Sequence, residues 1–531
     1  MIQEKVFLIT SGAYVNSELA SDFGLLPTSF LPVGHKRLFE IQLELIKGFK
    51  GEKHISIPND YELLDRDLKI LSKHSVHIFK SNSKISLKDS ILEFLNSKNL
   101  DCIEEFYILH GDTLYSKLDF ATDLMYCNFT NMFYKWGNLQ EIIEPCDSIF
   151  GGSIVSGFFS FKDVGSFKLA LENNIDFVSS LKGYNTEIPF NLKLGDNWLD
   201  FGHSNLYYKS KVKLNVTRYF NKTEAKLNYI LKSSADKQKI INEFNWFNNL
   251  PNEISYYSPR VWDLDCDNAS YKIEFIGAPT LQEKWVFGNL SDKFFSEIIK
   301  DIFYLINKMY THEYECDLES KKSILKKLYI EKTEHRLSDF ISDSKFNPDI
   351  NIIINDVKYP TLNEFKNEIF LKLNDRIDNI TKSGLNLMHG DLCFSNVLLD
   401  NRSNSIKIID PRGSFGEGKF NGNGNGNLGD YGYDIAKFGH SLIGNYDFIV
   451  TGFYNLDFDL TKYIFNFSIE KPVSNELKKL YYHKVNDSGL SPNFVKSAIT
   501  NLFLSMLPLH KEDKKRQLAF LINAYKFYYD L

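Results

Sequence analysis

Residues 387–399, LMHGDLCFSNVLL, set His389, Gly390, Asp391 and Asn396 in an otherwise apolar frame. The apolar ends read as two short strands and the polar middle as a loop between them. Eleven residues past Leu399 a further carboxylate, Asp410, closes the strand-like start of IKIIDPRG. Taken singly, HGD is a turn, and an Asp at a strand end is a turn former. In this order and spacing the same residues have a direct chemical use. Asp391 can accept the proton of an attacking hydroxyl, and Asn396 and Asp410 are hard oxygen donors suited to holding Mg²⁺ against nucleotide phosphates. Phosphoryl transfer asks for this combination, because it depends on positioning and charge neutralisation rather than on covalent chemistry by the protein.

The chain around this loop has 531 residues, too many for one hydrophobic core, so two or three domains are expected. Its formal net charge of −6 is modest for that size and argues against a chain whose main task is gripping nucleic-acid phosphates. Six scattered cysteines, with no CxxC and no paired histidines nearby, favour reduced thiols over a zinc site or a disulfide framework. MIQEKVFLITSGAY reads as a first strand rather than a signal segment, and no stretch approaches the roughly 20 apolar residues of a membrane span. A cytoplasmic protein is expected. From 1 to about 208, strand-like runs (KVFLIT, HISIP, VHIFK, EFYILHGD) alternate with the helical patterns KRLFEIQLELIKGF and SLKDSILEFLNSK, which favours an α/β layer with parallel strands. Further on, strands around KLNYILKSS and YKIEFIG flank a helix over KQKIINEFNWFNNL. Long helices follow near 291–310 and 361–381, with a helical C-terminus. The Gly/Asn-rich stretch 416–430 reads as a mobile loop.

The C-terminal part, 211–531, resembles the aminoglycoside phosphotransferase and choline kinase group of kinase-like enzymes. The resemblance implies an α+β, bilobal fold. It makes Lys232 of ILKSS the strand lysine on the α/β-phosphates of ATP and Glu243 of KIINEFNWF its helix partner. YKIEFIGAPTLQE becomes the segment between lobes, where adenine meets the backbone from Glu274 to Ile276, and GDYGYDIAKFGHSL the helix on which Asp434 anchors the loop. RYFNKTEAKLNYILK contains no glycine, so the expected Gly-rich phosphate loop is missing.

The N-terminal part, 1–210, resembles sugar-phosphate and phosphocholine nucleotidyltransferases, which have a Rossmann-like α/β fold. FGLLPTSFLPVGHKRLFEIQLELI carries Lys36, Leu38 and Gln42 where that family has K-P-L-x-x-x-Q-like positions. YILHGDTL implies Asp112 as one metal carboxylate, and NWLDFGHSNLYY implies Asp200 as a second, both on Mg²⁺. The first loop, TSGAYVNSELASDFG, departs from the family's Gly-rich form, and Thr28 stands where a lysine is usual. Lys36, as a catalytic cation, and Arg37 supply the missing charge, or the substrate is unusual, or the domain does not catalyse.

The two resemblances together imply a bifunctional enzyme. A kinase uses ATP to phosphorylate a small alcohol or sugar, and a nucleotidyltransferase then takes a second NTP, CTP first among the candidates, to form an NDP-activated precursor for surface polysaccharide. The alternatives are a kinase with a non-catalytic transferase domain and a nucleotide-sensing scaffold. The acceptor and the oligomeric state stay open.

Overall fold

A computed structural model describes residues 4–130, 139, 142, 153–214, 221–225, 229–401, 403–412 and 428–530. Most of the Gly/Asn-rich stretch (416–427) and residues 226–228 lie outside the described residues. The chain forms two compact units: Met1–Asn215 with Phe287–Asn289, and Val216–Val286 with Leu290–Leu531.

Unit 1 is built on a seven-stranded sheet in the order Asn191–Leu194, Leu124–Phe129, Ser153–Phe161, Ile103–His110, Glu4–Thr10, Glu52–Pro58, Val76–Ser81. The last four run parallel, as uninterrupted apolar strands joined by helices require. Ser153–Phe161 runs antiparallel to both its neighbours. Val6, Leu8, Phe106 and Ile108 face one apolar layer, and Phe7, Ile9, Tyr107 and Leu109 the other, as period-two alternation demands of a sheet covered on both sides. The helix expected over KRLFEIQLELIKGF is shorter: Lys36–Arg37 pairs with Pro32–Val33 as a hairpin around Gly34, and the helix runs only Leu38–Leu45. Thr10 and His110 are register partners at the carboxyl ends of adjacent parallel strands, the edge of such a sheet where ligand crevices form.

Unit 2 opens with a four-stranded antiparallel sheet, ordered Asn221–Ala225, Tyr229–Ser234, Ser270–Glu274, Val261–Asp265. The helix Lys237–Asn248 packs beside it, capped by Asp236, whose side chain accepts from Lys239 N. Long helices follow, including Asp292–Tyr310, Leu362–Asp378, Tyr431–Leu442, Pro492–Met506 and Lys514–Asp530. Leu385–Leu387 and Val397–Asp400 are the two strands that flank the polar loop. A second small sheet (Val357–Tyr359, Ile352–Ile354, Ile464–Ile469, Tyr454–Asp459) was not readable as such in the sequence. Among the described residues no helix is long and apolar enough to cross a membrane, and five cysteines are free.

Candidate functional sites

In unit 2 the strand Tyr229–Ser234 lies between two neighbours and sets Lys232 opposite Tyr271. Lys232 and Glu243 are almost wholly buried, with side chains 5% and 1% exposed. The Lys232 ammonium contacts Glu243 Oε1 and lies 2.5 Å from Asp410 Oδ1; the Tyr271 hydroxyl donates to the same glutamate oxygen. Burial alone would pull the Lys232 pKa down, but Asp410 and Glu243 outweigh it and hold the ammonium above its ordinary value. Burial raises Glu243 in spite of the lysine. Two carboxylates on one ammonium leave surplus negative charge, which a divalent cation at Asp410 can neutralise. Asp410 sits in the left-handed region (φ 57°), where a non-glycine residue is uncommon and strained, and such positions cluster at functional sites.

The loop 388–396 is pinned from below by the helix Tyr431–Leu442. Asp434 accepts from His389 N (2.7 Å) and Gly390 N (2.8 Å), and burial raises its pKa to about 7. His389, neutral because burial drives its pKa to about 4, hydrogen-bonds Ile409 O through Nε2 (3.0 Å), and its own carbonyl accepts from Arg412 N (3.0 Å). The loop that carries Asp391 and the Asp410 loop are therefore one bonded assembly. Asp391 keeps 41% of its side chain exposed and pairs with Lys437 Nζ at 2.8 Å. Burial pushes the carboxyl up, but Lys437, then His389 and Arg412, bring it well below the usual carboxylate range. Asn396 turns its amide nitrogen to Asp391, donating to the carbonyl (2.8 Å) and more weakly to Oδ2 (3.3 Å); its oxygen takes only a long 3.3 Å bond from Ser395. Ile409 N donates to Asn396 O (2.9 Å), so Asn396 and Asp410 are held close.

Glu274 ends its strand and is committed to Arg260, accepting from that residue's N (3.1 Å) and guanidinium (3.3 Å). Ile276 lies in the irregular stretch 275–279; its carbonyl accepts from Ala278 N (2.9 Å), and among the described residues its own N–H meets no acceptor. An adenine edge needs such a free backbone donor.

In unit 1, Asp112 and Asp200 come together although 88 positions apart, because Thr113–Leu114 pairs antiparallel with Leu199–Asp200. Phe201 N donates to Asp112 O (2.8 Å). Asp200 is buried and accepts from both His203 N and Nδ1 (3.0 Å each). Burial and then the Asp200 charge raise the Asp112 pKa, while His110 and His203 pull it back. A Cβ on Gly202 would collide with Asp112 Oδ2, so a larger residue there would displace the carboxylate. Gln42 is a clamp: its amide nitrogen donates to His110 O (3.0 Å), Gly111 O (3.2 Å) and Thr113 O (2.9 Å), fixing the turn that presents Asp112.

Arg37 does not stand free for a triphosphate. It is buried, with Nε 3.1 Å from Asp67 and Nη1 bonded to Phe30 O, which corrects the expectation that it supplies charge to a nucleotide. Lys36, by contrast, is exposed on the hairpin and forms no hydrogen bond or ion pair among the described residues. Among the described residues the largest charge effects on Asp112 come from Asp200, His110 and His203. Thr28 Oγ1 lies 3.4 Å from Ser11 Oγ and brings no charge.

Sequence reasoning passed over Lys437 and Arg412. Lys437 was readable: it stands three residues after Asp434, one turn along the same helical face, and so had to point at the loop that Asp434 anchors.

No protein-family model matches this chain, and no curated protein matches it. Among solved structures, CTP:phosphocholine cytidylyltransferase from Streptococcus pneumoniae matches 40% of this chain and 100% of its own at 16% identity, with a TM-score of 0.30. An aminoglycoside-3'-phosphotransferase of type VIII matches 58% of this chain and 94% of its own at 12% identity (TM-score 0.29). A glucosamine kinase matches 56% and 72% at 9% identity (TM-score 0.34).

Proposed function

We propose that the chain is a bifunctional transferase. Unit 2 moves the γ-phosphoryl group of ATP to a small hydroxyl compound, and unit 1 moves a nucleotidyl group, from CTP in the first instance, to the phosphorylated product. The product would be an NDP-activated precursor for surface polysaccharide. The observation that carries the kinase assignment is the Lys232 ammonium bridging Glu243 and Asp410, on the same bonded assembly as the open carboxylate of Asp391.

In this reading Lys232 grips the α/β-phosphates, and the backbone at Ile276 takes the adenine. Asp391, kept ionised by Lys437, orients the acceptor hydroxyl and takes its proton as the oxygen attacks the γ-phosphorus and ADP departs. Mg²⁺ would be held by Asp410 and by the oxygen of Asn396 that its own bonding leaves nearly unused, and would neutralise the β- and γ-phosphates. In unit 1, Asp112 and Asp200, with the space left by Gly202, would hold a second Mg²⁺ that draws charge from the α-phosphate and pyrophosphate. There an oxygen of the phosphorylated product attacks the α-phosphorus and pyrophosphate leaves.

A second reading, a kinase whose unit 1 does not catalyse, is favoured by one set of observations. Arg37 is committed to Asp67, Thr28 is uncharged, and the largest charge effects on Asp112 among the described residues come from Asp200, His110 and His203 rather than from a lysine or arginine. Incubating the full chain with ATP and a panel of small alcohols and sugars, then adding each NTP, separates the readings. Alcohol-dependent ADP followed by pyrophosphate supports both activities, and ADP without pyrophosphate selects the second reading. No ADP with any acceptor refutes the kinase assignment.

A further inference from the structure

Beside the Asp391 loop, unit 2 concentrates positive charge that the phosphoryl-transfer residues do not use. Lys332 and Arg336 lie four residues apart on one face of the helix Lys332–Ser344. Lys332 Nζ donates to the Tyr433 hydroxyl (3.0 Å) and lies 5.5 Å from that ring's centre; Tyr433 is the direct neighbour of the loop anchor Asp434. Arg336 Nη1 donates to Ser505 O (3.0 Å). Neither forms an ion pair with a carboxylate among the described residues, where the acidic groups acting on Arg336 are Tyr433 and then Asp339. Arg412, tied by its N–H to His389 O, acts on Asp391 and repels both Lys332 and Arg336, so all three cations converge near the base. The nearby Asp430 does not balance them: Arg376 holds it at 3.2 Å.

Lys332 and Arg336 are half-buried and have no carboxylate ion pair among the described residues, which is costly unless something compensates them. A cationic acceptor would be repelled here, and a neutral polyol would leave the charges unmatched. Resting on the kinase reading of unit 2, we propose that its acceptor is an acidic alcohol, whose carboxylate or phosphate group is held by Lys332, Arg336 and Arg412 while its hydroxyl meets Asp391. The helix Lys332–Ser344 then selects the acceptor, and the loop 388–396 acts on it.

The test uses the full chain and four small probes: D-glycerate, glycerol 3-phosphate, glycerol and choline. Lys332, an amine whose burial lowers its pKa to about 8, is labelled briefly with an amine-acylating reagent, and its modification is followed by mass spectrometry with each probe present. At least one of the two acids protects Lys332, and which one tells carboxylate from phosphate; glycerol and choline do not. In the double variant Lys332→Met/Arg336→Gln, calorimetric titration of the protecting acid shows affinity weaker by about 10–100-fold, the worth of charge-assisted bonds, with Mg²⁺–ATP affinity unchanged. Protection by glycerol or choline equal to that by the acids, protection by none of the four, or acid affinity unaltered in the double variant overturns the proposal. Acid-specific protection with no phosphoryl transfer to any probe leaves the anion site standing and counts against the kinase reading alone.

Discussion

Lys332→Met should make the protein more stable at neutral pH, because it removes a half-buried charge that forms no ion pair with a carboxylate among the described residues. Burial, reinforced by Arg412 and Lys437, lowers the Lys332 pKa from 10.5 to about 8. Tyr433, its hydrogen-bond partner, is also brought down to about 8, against burial, by Lys332, Lys437 and Arg412. Whichever of the two gives up its proton, the folded protein loses one near pH 8 that the unfolded chain keeps to about pH 10. The sign follows. Below pH 8 the charge is present in both states and its full penalty falls on the folded one. Between about 8 and 10 the unfolded chain holds more protons, so wild-type stability rises with pH. A shift of this size is worth about 3 kcal/mol, from which about 1 kcal/mol is subtracted for the lost bond to Tyr433. The variant should therefore gain about 2 kcal/mol at pH 7 and reach parity near pH 9.5. Urea unfolding of both proteins, followed through the buried Trp246 and Trp285 of unit 2, measures this at the two pH values. A variant less stable than wild type at pH 7, or with the same advantage at both, refutes the electrostatic account of the cluster.

Asp410→Ala should weaken Mg²⁺–ATP binding, measured by calorimetry, because it removes both the proposed metal ligand and a partner of Lys232; unchanged affinity would show that Asp410 holds no metal. Gly202→Ala puts a Cβ against Asp112 and should abolish pyrophosphate release while leaving ADP formation untouched; retained release would place the transferase chemistry elsewhere. Separating the chain between Asn215 and Val216, just past the helix Ser204–Lys213, should leave ATP-dependent phosphoryl transfer with the fragment 216–531. An insoluble or inactive fragment would mean that the two units do not stand alone.

Much of the centre in unit 2 was legible because its parts lie at short, fixed separations. Asp391 and Asn396 share one loop, and Asp410 follows one hairpin later, so local pattern alone brings them together. The Lys232–Glu243 pair was legible for the same reason, a strand followed at once by a helix. What stayed hidden depends on contacts distant in the chain. Arg37 sits beside an exposed lysine in sequence, yet Asp67, 30 residues on, takes it into the interior and out of reach of a nucleotide. The cluster of Lys332 and Arg336 was not legible, since nothing local says that Tyr433 and Arg412, 76 to 101 residues later, fold against their helix. The hairpin before Leu38 was missed because Lys36 and Arg37 continue the helical spacing of the residues after them.

The measurement that bears most directly on the account is transfer of phosphate from γ-labelled ATP to the acceptor by the wild type and by Asp391→Asn, with Mg²⁺–ATP affinity measured alongside. The variant keeps the loop's shape but lacks the carboxylate that Lys437 holds ionised. Transfer should slow by about 10²–10⁴, the usual worth of a positioned base, with nucleotide affinity unchanged. Transfer at a near wild-type rate would contradict the assignment of Asp391, and with it the phosphoryl-transfer centre built around it.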